Sequence, residues 1–117
     1  MTVDYSSLCT INGEIETKVP IMDRGLAYGH GVFETIRVSA GLPSLFDLHI
    51  NRLINGSKIL GISIDKTSIE TYFYNLIELS PSEGIIKIII TAGSGQRGYA
   101  YNKLVDTRYI MQWFPIK

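Results

Sequence analysis

From Val32 to Ala40 apolar and polar residues alternate, with Val32, Glu34, Ile36 and Val38 on one face and Phe33, Thr35, Arg37 and Ser39 on the other. That period of two predicts a strand with one buried face. A second alternation runs from Asp106 to Phe114, where Tyr109, Met111 and Trp113 oppose Ile110, Gln112 and Phe114. Between them, Ile85 to Ala92 (IIKIIITA) is too short and too β-branched for a helix and reads as a central strand buried on most of both faces. Near the N-terminus, Ser7 to Ile11 and Glu14 to Val19 are strand-like, and Asn12-Gly13 between them is a two-residue hairpin turn.

After Gly41-Leu42-Pro43 turns the chain, the period becomes helical. Ser44 followed three residues later by Asp47 resembles a capping box, and the helix it starts runs to about Gly61. Phe46, Ile50, Leu53, Ile54 and Leu60 form one apolar stripe, while Leu45, Leu48 and Ile59 form another on the opposite side, so this helix is expected to be covered on two sides. Asp65, or Thr67 with Glu70 three residues on, caps a second helix with the stripe Ile69, Tyr72, Phe73, Leu76 and Ile77, and Pro81 follows its end. Residues 23–31 (DRGLAYGHG) keep neither period and read as an ordered loop, as does Gly93 to Gly98. The expected fold is a small α+β domain with a mostly antiparallel sheet and two helices.

Composition narrows the function more than the fold. A chain of 117 residues can bury one core but not two. Its 11 basic and 11 acidic residues cancel, so no net field steers it to nucleic acid or an anionic membrane. No apolar run approaches the ~18 residues that span a bilayer, and MTVDYSSL lacks the order of a signal peptide. The single Cys9 cannot form an internal disulfide, which points to the cytoplasm. Pro115-Ile116-Lys117, directly after an aromatic strand and with no polar tail, reads as a boundary between domains.

Several residues invite chemistry. Arg52 falls in the stripe of Leu45, Leu48 and Ile59, with Gly56 one turn on. If that face is covered, the guanidinium needs an anion, and its fork suits phosphate or carboxylate. The plainer alternative is a snorkelling arginine paired with Asp47 or another local acid, and the local residues favour it. His49 lies beside Arg52 and could serve the same anion or backbone. Glu34 points to the apolar face of its strand and must be hydrogen-bonded or paired, as a structural or a catalytic carboxylate, with the structural role favoured. Tyr28, His30 and Phe33 cluster around Gly29 and Gly31 as an aromatic lining with polar tips, although core packing explains Phe33 equally well.

Gly93-Ser94-Gly95-Gln96-Arg97-Gly98 matches G-x-G-x-x-G after a strand, but no helix begins inside it and no acid follows about 20 positions on, so it is not a dinucleotide site. It is either a plain connecting loop or an anion clamp presenting Arg97 and Tyr99, and the local residues weigh the two evenly. No metal-ligand spacing, activating base for Cys9 or G-x-S-x-G elbow is present.

The order D-R-G-x-x-Y-G-x-G-V-F-E-T-I-R, then H-I-N-R-L, then G-S-G-Q-R-G-Y strongly resembles the class IV aminotransferases, the fold-type IV pyridoxal-phosphate enzymes. This family includes branched-chain and D-amino acid aminotransferases and aminodeoxychorismate lyases. F-E-T-I-R paired with G-S-G-Q-R-G-Y is most similar to the lyase branch.

The resemblance implies that Arg52 binds the phosphate of pyridoxal 5'-phosphate and that Arg97 and Tyr99 recognise a substrate carboxylate. It places Phe33 in the substrate pocket. His30 departs from the acidic or small residue common at its position. The resemblance also implies that residues 1–117 are an N-terminal small domain. The lysine forming the cofactor's internal imine and the glutamate facing its pyridine nitrogen would lie in a separate C-terminal domain. Lys58, Lys66, Lys87, Lys103 and Lys117 match no motif for that lysine, so no catalytic residue is assigned within the chain. The expected parent is a cytoplasmic homodimer, and the chain alone is expected to be inactive. The alternatives are part of an amino-acid aminotransferase and a stand-alone binding or dimerisation module, the latter without a large exposed apolar face.

Overall fold

A computed structural model describes residues 8–94 and 106–116. Strands β1 (Cys9–Ile11), β2 (Glu14–Ile15), β3 (Gly31–Ser39), β4 (Leu42–Pro43), β5 (Gly84–Thr91) and β6 (Arg108–Phe114) form one sheet in the order β2-β1-β6-β5-β3-β4. Every neighbouring pair is antiparallel. Among the described residues the helices α1 (Arg24–Tyr28), α2 (Phe46–Ile59) and α3 (Lys66–Leu79) accompany it.

The alternation of β3, β5 and β6 decides where the core lies. Ile36 and Val38, Ile86, Ile88 and Ile90, and Met111 and Trp113 meet Ile50 and Leu53 of α2 and Ile69, Phe73 and Leu76 of α3 in one buried cluster. Full burial of each such side chain stabilises the fold by ~1.5–3 kcal/mol relative to exposure. Asn12 and Gly13, with φ of 51° and 85°, close the β1–β2 hairpin in the left-handed conformation that their residue types tolerate. Asp65 caps α3 as expected, its side chain accepting from Thr67 N–H at 3.2 Å.

Five local expectations are corrected. The second strand stops at Ile15 rather than Val19, because the Glu16 carboxylate takes the N–H groups of Thr17 (2.8 Å) and Lys18 (3.1 Å) that a ladder would use. Residues 23–31 contain α1, a single turn too short to show a period, capped by Asp23 and ended by Gly29. The capping box at Ser44 is absent. Leu45 stands at the N-cap with φ 54° and ψ 41° and makes no side-chain cap bond, while Ser44 N–H donates to the Arg37 carbonyl at 2.8 Å. The β5 strand is central, but only one of its faces is fully buried, and Ile85, Lys87 and Ile89 are half-buried. Finally, α2 is covered on one side only: Leu45, Leu48 and Ile59 of its second stripe are 66%, 51% and 84% exposed, and Leu60 lies beyond the helix.

Candidate functional site

Strand β3 carries two consecutive residues to two different settings. Glu34 points to the helix-covered face of the sheet, where its side chain keeps 16% of its exposure. A carboxylate desolvated this far needs donors, and α2 supplies them from residues one turn apart. His49 Nδ1 lies 2.6 Å and Arg52 Nη2 2.7 Å from Glu34 Oε1. Burial pushes the Glu34 pKa upward, but the hydrogen bonds from His49 and Arg52, and then their charges, outweigh it and hold the carboxyl below its usual range. Gly56 permits this close pairing of helix and strand, since a Cβ there would stand 3.1 Å from Val32 Cγ1.

Arg52 therefore has the acidic partner that its plainer reading required, but the acid is Glu34 on the neighbouring strand rather than Asp47. Its side chain is still 56% exposed, and its bond to Glu34 uses one terminal nitrogen. A guanidinium held at one nitrogen and still more than half exposed fits one contact to the phosphate of an anionic cofactor.

Phe33 points the other way, onto the open face. It is 60% exposed, with Lys87 Nζ 4.7 Å from its ring centroid. It lines a cavity of about 390 Å³ with Leu26, Gly29, Val32, Ile89 and Ile110. Tyr28 and His30 lie outside that lining. Tyr28 takes the Arg24 guanidinium over its ring at 5.0 Å, and His30 Nε2 lies 2.8 Å from the Leu60 carbonyl, tying residues 23–31 to the end of α2. Arg97 and Tyr99 fall outside the described residues. Sequence reasoning missed the ion pair of Asp23 with Arg108 and the placement of Lys87 beside Phe33. Asp23 carried a readable signal as a potential N-cap three residues before Leu26, but its arginine partner is 85 positions away.

The arrangement offers an oriented guanidinium and an apolar cavity on opposite sides of one strand. A family profile for amino-transferase class IV matches residues 31–113, which include Phe33, Glu34, His49 and Arg52. The chain belongs to this family. The crystal structure of 4-amino-4-deoxychorismate lyase from Pseudomonas aeruginosa superimposes with a TM-score of 0.83 and 36% identity, over 92% of this chain and 40% of that one. Among curated relatives, aminodeoxychorismate lyase of Bacillus subtilis is 35% identical over 101 residues, covering 80% of this chain and 34% of its own length. D-alanine aminotransferase of Bacillus licheniformis is 29% identical over 105 residues, covering 87% of this chain and 37% of its own length. The chain thus spans about a third of the length of the curated relatives it matches. The fold, with its six-stranded antiparallel sheet, is that of the fold-type IV enzymes. No helix among the described residues is long and apolar enough to cross a membrane.

Proposed function

We propose that this chain is the N-terminal small domain of a cytoplasmic, homodimeric pyridoxal-phosphate lyase that converts aminodeoxychorismate to 4-aminobenzoate and pyruvate, a step of folate synthesis. The observation that carries the reading is the held but still exposed guanidinium of Arg52, within a chain 36% identical to a solved lyase of that name. Pyridoxal phosphate, when bound, supplies an electron sink for bond cleavage next to the substrate nitrogen. Arg52 binds the cofactor phosphate, and Glu34, itself held by His49, fixes the rotamer in which it does so. Phe33 and the cavity beside it exclude water and pack the substrate's carbocycle. Arg97 and Tyr99 bind a substrate carboxylate. The lysine that completes the chemistry belongs to a further domain, so the chain by itself is inactive.

The similarity to D-alanine aminotransferase supports a second reading, amino-group transfer on the same scaffold. One assay on the full-length protein separates the two. Release of pyruvate and 4-aminobenzoate from aminodeoxychorismate supports the lyase, whereas transfer to 2-oxoglutarate without pyruvate release supports the transaminase. Arg52→Ala in that protein is expected to weaken pyridoxal phosphate binding by about tenfold to a hundredfold, the scale of lost charge-assisted hydrogen bonds. Unchanged affinity in an absorbance titration removes the phosphate role. The exposed stripe of Leu45, Leu48 and Ile59 weighs against a stand-alone module, which would have no reason to leave it uncovered.

A further inference from the structure

Asp23 opens the D-R-G motif, and the proposed function gives it no task. Its side chain is 2% exposed, yet both oxygens are engaged. Oδ1 accepts from the Thr91 hydroxyl at 2.7 Å and from Arg108 Nη1, and Oδ2 accepts from Leu26 N–H at 3.1 Å. The same Arg108 nitrogen donates to Ser94 Oγ at 3.1 Å. Two backbone bonds, Arg24 N–H to the Gly93 carbonyl (2.7 Å) and Ala92 N–H to the His30 carbonyl (3.1 Å), knit the surrounding segments together, and Gly93 N–H donates to the Thr91 side chain at Oγ1 (3.0 Å). A Cβ on Gly25 would stand 2.5 Å from Thr91 Cγ2 and 2.9 Å from Asp23 Oδ2, so α1 is pressed against the end of β5 with no space between them.

A buried ion pair is a poor way to gain stability, since well-packed apolar residues of similar volume are often as good or better. What it provides is a fixed geometry. Here that geometry belongs to the cavity beside Phe33, because Asp23, Gly25, Leu26, Gly29 and Thr91 all lie along its wall.

We propose that Asp23 and Arg108 are positioning residues for the substrate cavity, holding α1 at the distance from β5 that sets its width, while the phosphate contact at Arg52 is independent of them. The inference rests on reading the Phe33 cavity as the substrate's. Arg52 draws its own geometry from Glu34 and His49, which among the described residues share no hydrogen-bond partner with Asp23 or Arg108.

The test compares Arg108→Lys, Asp23→Asn and the double variant Asp23→Asn/Arg108→Gln in the full-length enzyme, with Phe33→Ala as a control. KM, kcat, pyridoxal phosphate affinity, Tm and amide exchange at Leu26 are measured. Arg108→Lys keeps the charge, but its ammonium ends one bond short of Nη1. It is expected to raise KM about tenfold, within the range that small misplacements cost, with a smaller change in kcat and unchanged cofactor affinity. Leu26 exchange is expected to quicken. The double variant removes both charges and is expected to regain part of the Tm lost by Asp23→Asn while KM stays high. A KM that recovers together with Tm makes the pair merely structural and overturns the proposal. Unchanged KM and Leu26 exchange in Arg108→Lys overturn it as well, even if Asp23→Asn does not fold. If Phe33→Ala leaves KM unchanged, the cavity reading fails instead, and Leu26 exchange still decides whether the pair holds α1.

Discussion

Glu34 shows how a single residue can be legible in type and illegible in partner. Alternation along β3 places it on the buried face, so it had to be paired, and it receives donors from His49 at 2.6 Å and Arg52 at 2.7 Å. Its pKa is depressed, so the stabilisation from these bonds is complete above the ordinary carboxylate value of about 4.3 and is lost as pH falls through the lower folded value. Glu34→Gln is therefore expected to cost about 1.5 kcal/mol at pH 6, the lower end for a hydrogen bond to a charged group, and much less at pH 3. Urea midpoints at the two values check this, and an equal loss at both would show that the charge contributes nothing. The same residue explains why the plainer reading of Arg52 and the functional one need not compete. The acid that pairs the guanidinium also orients it, and 56% of the side chain remains exposed.

At the scale of elements, β3, β5 and β6 begin and end within two residues of the positions that their periods indicate, and α3 starts at the cap that Asp65 provides. The failures are physical. Helix α1 is five residues long, less than two turns, so it contains no repeat to read. Strand β2 is cut short by a side chain competing for backbone donors, and Ser44, which has the residue type of an α2 cap, spends its N–H on the Arg37 carbonyl in the β3–β4 hairpin. Leu45 holds a left-handed conformation that costs an L-residue roughly 1–2 kcal/mol, and with 66% of it exposed it packs little in return. Leu45→Asn is expected to stabilise this chain by about 0.5–1 kcal/mol, since Asn tolerates that conformation. Thermal unfolding measures it. A loss of stability would show that the Leu45 side chain makes contacts that matter more than the strain.

For the whole molecule, one side of α2 builds the core and the other faces solvent with Leu48 and Ile59. Leu48→Glu is expected to reduce self-association of this chain in sedimentation while shifting its unfolding free energy by no more than about 0.5 kcal/mol. A large destabilisation would show instead that Leu48 belongs to the core. Two apolar stripes were written in the sequence, but which of them the chain itself covers was decided by how α2 settles on β3. The sequence by itself determined the periods, the turns, the central position of the isoleucine-rich strand and the family motifs. Each of these is carried by residues within a few positions of one another or by their order along the chain. Tertiary structure alone decided that Arg52 meets Glu34 across 18 positions and that Asp23 meets Arg108 across 85. Such pairings depend on strand register and on which segments the fold brings together, and a local pattern of residues encodes neither.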